Sequence, residues 1–272
     1  MSILVAEILP SGIVFAADRN VTIRQSDSEG NKILEAQDIT SKVLCWPHSR
    51  ALIGYVGLAR VGMQSMHDWL YDFIGDHIHF SDPATVAYDL RDHLQTALGS
   101  SADRSIIQFA TFAERNGFVV PEYWHVTNVL GMTNGEYDAP SERFEASERL
   151  LGFHLKDKAE PGNVRPFLQT LADQFDPFWF HQGINLAVFN TVSGSVKQAF
   201  NALQRGGYLK QPQTLADWER HAKMWVLIYG AYFEAFGSPG QRYVGGGADV
   251  LSIPWPTGLL NERRGQSEQM AV

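Results

Sequence analysis

The chain has 272 residues, 44% of them hydrophobic and 19% charged, a formal net charge of -8 and one cysteine. That length sustains a substantial core, and an acidic balance with no basic stripe argues against a duplex nucleic acid partner. A lone cysteine excludes an intrachain disulfide or a thiolate metal cluster. No apolar run has the length of a membrane span. The start lacks a cationic region, and Pro10-Ser11-Gly12 breaks it. Neither a signal peptide nor a membrane partner is expected, and a cytoplasmic protein is.

Ile3 to Leu9 and Ile13 to Ala17 are short, apolar and β-branched-rich around the Pro-Ser-Gly turn. They predict a hairpin covered on both faces. Asp18 to Lys42 is polar and rich in turn residues, which predicts a long connection with a little extended structure. Val43 to Trp46 and Ala51 to Val56 predict a second strand pair around Pro47-His48-Ser49, with Cys45 a buried structural thiol. The period then changes. Met66, Trp69, Leu70, Phe73 and Ile74 recur at helical spacing, and a second helix starts at Ser81-Asp82-Pro83 and runs to Gly99.

Ile106 to Ala113 and Phe118 to Val129 flank Arg115-Asn116-Gly117, a hairpin signal, and Met132 to Tyr137 suggests a short further strand. Helices are expected over Ser141 to Leu151, Val164 to Phe175 and Ile184 to Leu203, with the longest starting near Leu215. Its apolar stripe includes Leu215, Trp218, Ala222, Trp225, Val226, Tyr229 and Phe233. Tyr243 to Ile253 returns to strand. Both helix groups need a sheet to cover, and the strands are too apolar to be wet. An α+β fold, a four-layer α-β-β-α sandwich of two antiparallel sheets, meets both demands. One domain over residues 1–256 is expected, followed by a polar, flexible tail over 257–272.

Ser2 is the first candidate nucleophile. With Met1 removed, as its small side chain permits, it carries a hydroxyl and a free α-amine on one residue. His77-Ile78-His79 has no ligand partner at recognisable spacing, so it reads as a solvated helix end and no metal is expected. Gly245-Gly246-Gly247 precedes a strand rather than opening a helix, so it is no dinucleotide loop, and no cofactor is expected. The cluster Phe175, Phe178, Trp179 and Phe180 reads as core or interface packing.

SILVAEILPSGIVFAADR resembles the opening of proteasome β-subunits and their bacterial peptidase relatives, the N-terminal-nucleophile hydrolases. There a turn glycine and an apolar strand lead to Ala-Asp sixteen residues after the processed nucleophile, the interval from Ser2 to Asp18 here. SKVLCWPHSRALIGYVGLAR is similar to the family's Lys-aliphatic strand and the strand-to-helix corner after it. The detailed resemblance ends with the first helical segment; later blocks agree in order only.

The resemblance implies the four-layer fold and a catalytic set. Ser2 stands for the family's threonine, Asp18 for its acid, Lys32 for its lysine (Lys42 competing), and Gly54 for the glycine whose N–H stabilises the oxyanion. A nearby cation lowers the amine below its ordinary value of about 7.7–8.0, leaving it neutral to accept the hydroxyl proton. The resemblance further implies a homo-oligomer, ring or helical stack, acting on peptides or small amides, with an ATP-driven unfoldase as a possible partner. Departures exist. Leu58 replaces the usual acid at the corner, and the family's Gly-Ser-Gly and Arg-Asp-x-x-Ser-Gly motifs have no counterpart in Ser147 to Gly152 or Phe236 to Gly240. A catalytically inactive assembly subunit of the same fold is therefore the competing reading.

Overall fold

The computed structural model describes residues 2–26, 32–79, 82–99, 104–115, 118–129, 140–150, 178–183, 186–236 and 244–256. Strands β1 (Ile3–Leu9) and β2 (Gly12–Asp18) form the expected hairpin, every residue buried. They are the centre of a four-stranded antiparallel sheet in the order β12-β1-β2-β13, with β12 (Phe178–Gly183) and β13 (Ala248–Pro254) as edges. The second sheet, also antiparallel, has the order β11-β10-β9-β6-β5. It comprises β5 (Val43–Trp46), β6 (Ala51–Gly57), β9 (Ser105–Arg115), β10 (Phe118–Val129) and β11 (Pro140–Glu148). Phe118 pairs with Arg115, the register of the expected hairpin.

Alternation along the strands sorts the core into three layers of contact. Leu4, Ala6, Ile8, Ile13, Phe15 and Ala17 meet Val43, Leu52, Val56, Ile106, Ala110 and Tyr123 between the sheets. The opposite side chains of the second sheet, including Leu44, Ile53 and Phe109, meet helices α1 (Met66–Asp76) and α2 (Pro83–Leu98). Those of the first, Ile3, Val5, Leu9, Val14 and Ala16, meet Ala222, Trp225, Val226 and Tyr229 of α4 (Leu215–Phe236). Helix α3 (Leu186–Arg205) runs beside it, Phe200 against His221. The order helix, sheet, sheet, helix is the four-layer sandwich.

Two charged groups in these layers are tied down rather than exposed. Glu122, 1% exposed, accepts from Arg115 Nε (2.5 Å) and Trp124 Nε1 (3.0 Å), while Arg115 also bonds Asp82, the N-cap of α2. Glu7 points from β1 toward α4, where His221 Nδ1 lies 2.6 Å from its Oε1 and Trp225 Nε1–H donates to His221 Nε2 at 3.2 Å.

Four expectations change. Residues 141–148 form β11 rather than a helix; the alternation of buried Phe144 with exposed neighbours serves an edge strand packed under α2. Segment 18–42 is largely extended: β3 (Asn20–Ser26) pairs with β4 (Lys32–Ile39) as a separate two-stranded ribbon. Cys45 is exposed, because β5 is the outer strand of its sheet. The last strand begins at Ala248, after the glycine run. Met132 to Tyr137, Val164 to Phe175 and the tail over 257–272 lie outside the described residues.

Gly54 sits in mid-β6, paired with Val43 on one side and Gln108 on the other, facing the first sheet. A Cβ there would lie 2.8 Å from Leu4 Cδ1 and 3.3 Å from Phe15 Cδ2. Hydrogen at this position lets the two sheets close. Gly54→Val is expected to destabilise the fold by about 1–3 kcal/mol through overpacking, read as a lower urea midpoint with unchanged slope.

His125, on β10 between the sheets, has its pKa lowered to about 3 by burial, with the Arg149 cation adding to the effect. The folded imidazole therefore refuses a proton that the unfolded one accepts below its ordinary 6.5. Stability is intact above that pH and falls as pH drops toward 3, by about 1.4 kcal/mol per pH unit from this residue. His125→Phe is expected to flatten that acid slope between pH 6 and 4, measured as urea midpoint against pH.

Candidate active site

Asp18 ends β2 opposite Ile3, the first residue of β1, and this register brings the carboxylate to the chain's start. The Ile3 N–H donates to Asp18 Oδ1 at 2.8 Å, and Lys42 Nζ donates to Oδ2 at 2.9 Å. Lys42 also donates to the Asn20 carbonyl. Both ionic side chains are out of solvent, 2% exposed for Lys42 and 0% for Asp18. Both carboxylate oxygens act as acceptors, and the lysine directs two of its three donors at oxygen. That is the bonding of a carboxylate and an ammonium. Burial pushes the Asp18 carboxyl up and the Lys42 ammonium down, and the charge of each partner opposes the shift of the other.

Ser2, also buried, directly precedes Ile3, so its backbone is one residue from the ion pair. The expected partner Lys32 is elsewhere. At the ribbon's root Asn20 faces Ile39, and at its far end Ser26 faces Lys32. Six residues of strand at ~3.3 Å each carry Lys32 roughly 20 Å from that root. Folding the segment into a ribbon sends its middle outward and joins its ends: Thr40 N–H donates to the Arg19 carbonyl at 3.0 Å, and Lys42 reaches Asn20 and Asp18.

Gly54 is likewise not at a corner. Tyr55 N–H donates to Lys42 O at 3.0 Å, toward β5. By the alternation of an antiparallel ladder, the Gly54 N–H points the other way, into the pairing with β9. The corner glycine is Gly57, the last residue of β6, with φ +101°; a Cβ there would lie 2.1 Å from the Arg104 carbonyl oxygen. The same alternation directs its N–H to the β5 side, past Val43 where β5 begins. Gly57 directly precedes the stretch that leads through the short pair β7 (Arg60–Val61) and β8 (Gln64–Ser65) to α1, and that position was the signal available for it.

Asn20 and the glycine run are the other residues that sequence reasoning missed. Arg19 and Asn20 both donate their N–H groups to the Gly245 carbonyl, at 3.1 and 3.2 Å. Gly246 has φ +70°, and a Cβ on it would lie 2.4 Å from Asn20 Oδ1. Three successive glycines before a strand signal such a close backbone approach. The aromatic cluster falls on β12 in part, Phe178 to Phe180 pairing with Ile8 to Ala6, while Phe175 lies outside the described residues. His77 caps α1, its ring against Phe73. Among the described residues no group of three or more His, Cys, Asp or Glu side chains is arranged to hold a metal ion.

No family model matches the chain, and no curated protein matches it. Among solved structures it is similar to a Gly-1 mutant of Anbu from Hyphomicrobium sp. strain MC1. Identity is 13% over 100% of this chain and 95% of that one, at a TM-score of 0.43.

The geometry assigns the two lysines different burdens. Lys42→Met leaves a buried carboxylate unpaired and is expected to cost about 3–5 kcal/mol, recovered in part by adding Asp18→Asn. Lys32→Met at the ribbon's far end should stay within about 0.5 kcal/mol of the parent. Urea titration of the four proteins checks the contrast.

Proposed function

We propose that the chain is an N-terminal-nucleophile amide hydrolase of the proteasome-like kind, with Ser2 as nucleophile once Met1 is removed. One observation carries the reading: the buried Asp18–Lys42 ion pair, bonded to the amide of the residue after Ser2. A hydroxyl attacks a carbonyl only when a base takes its proton, and the Ser2 α-amine is the base on the same residue. The Lys42 cation favours the neutral amine, and Asp18 keeps that cation charged where water cannot.

Ser2 Oγ attacks the scissile carbonyl and passes its proton to the amine. The amine returns it to the leaving nitrogen as the C–N bond breaks, giving an acyl-enzyme. Water, deprotonated by the same amine, then releases the acid. The oxyanion donor in this reading is the Gly57 N–H at the corner rather than Gly54; removing one such donor costs on the order of 10²–10³ in rate. Peptides or small amides are the substrate class, and a homo-oligomer in the cytoplasm is the form. No helix among the described residues is long and apolar enough to cross a membrane.

The inactive assembly subunit is favoured by a different observation, that the ion pair is fully buried and satisfied by its own neighbours, as a purely structural pair would be. Intact mass separates the two readings. Loss of Met1, an adduct at Ser2 with a β-lactone, and at least a hundredfold loss of fluorogenic-peptide hydrolysis in Ser2→Ala, with the fold unchanged, are expected. Retained Met1, or hydrolysis undiminished in Ser2→Ala, overturns the catalytic reading.

A further inference from the structure

The two carbonyls that flank the Lys42 Cα are both held. Tyr55 N–H donates to Lys42 O at 3.0 Å, and the Tyr55 hydroxyl donates to Ser41 O at 3.2 Å. His67 supplies a further bond to the Ser41 carbonyl, its Nδ1 at 2.9 Å. A carbonyl can only accept, so this imidazole carries its proton on Nδ1. Burial, with Asp68 and Asp18 nearby, pushes the Tyr55 phenol up, which keeps it a donor.

His67 is itself fixed. It is the second residue of α1, whose N-cap Ser65 Oγ accepts the Asp68 N–H at 3.0 Å. The Met66 N–H donates to the Ala59 carbonyl at 2.8 Å, two residues past Gly57. The start of α1 thus grips the corner glycine's loop with one residue and the approach to Lys42 with the next. Lysine side chains carry four rotatable torsions, and a buried one is aimed only as well as its backbone is held.

We propose that Tyr55 and His67 are positioning residues: through the Ser41 carbonyl they aim Lys42 at Asp18 and at the amino terminus. The catalytic consequence rests on the hydrolase reading above; the positioning itself does not. Tyr55→Phe deletes one hydroxyl, His67→Ala deletes the imidazole, and His67→Asn restores an N–H donor close to the position of Nδ1.

With fluorogenic peptide, Tyr55→Phe and His67→Ala are expected to lower kcat about tenfold with KM within twofold, because small misplacements of a catalytic group act on the transition state. His67→Asn should recover most of the loss. A urea double-mutant cycle reads the positioning without hydrolysis: the midpoint drop caused by Lys42→Met should shrink to less than half in the His67→Ala background. Unchanged kcat in both variants, His67→Asn no better than His67→Ala, or additive midpoints each overturn the inference. A parent protein that hydrolyses nothing defeats the hydrolase reading instead, and the cycle then decides positioning alone.

Discussion

An ammonium and a carboxylate taken out of water remain charged only in one another's company. In this fold Lys42 and Asp18 do so where three segments converge: the first residues of β1, the last of β2 and the approach to β5. The pair joins the two sheets at one end. It also sets what the polar segment between positions 18 and 42 must do. That segment has to leave the sheet at Asp18 and return at Lys42, and a ribbon closed at its root by the Arg19 carbonyl satisfies both ends.

Around that junction the layers supply rigidity rather than chemistry. The sheets approach closely because Gly54 offers no side chain to Leu4 and Phe15. Close approach in turn keeps the ion pair dry and the start of β1 fixed. The glycine run before β13 performs a similar service from the other side, letting backbone pass over Asn20, whose carbonyl receives the lysine. Interior packing of this kind has two consequences for Ser2. Its surroundings are set by the fold itself, and strain at a distant layer is transmitted to it.

Much of the fold was legible in the sequence. The first hairpin, the β9–β10 hairpin, helices α1, α2 and α4 and the layer order follow from period, caps and turn residues. The signals for these elements are local, and the structure carries each of them. Strand β11 was misread because Phe144 and its polar neighbours fit either period when the partner strand is unknown. The sequence pointed to Lys32 for the place beside Asp18, and the structure puts Lys42 there, for a topological reason. Spacing along the chain measures contour length, whereas the ribbon folds that length back and brings Asn20 and Lys42 together. The corner lies three residues later than expected: Gly54 and Gly57 belong to one short strand, and only the cross-strand pairing puts Gly54 in its interior and Gly57 at its end. Asn20, Tyr55 and His67 had no sequence signal, because their roles exist only in the bonds they make across elements.

Beneath α4, the indole of Trp225 dictates where a hydrogen atom resides some distance from the chain's start. Indole nitrogen can give a hydrogen bond but never take one, so the His221 Nε2 it addresses must present a lone pair. The ring hydrogen is thereby confined to Nδ1, and Glu7 Oε1 is cast as its recipient. A helix packed on a sheet by grease alone would be free to slide by a turn; this directional chain of donor, relay and acceptor names a single docking register for α4.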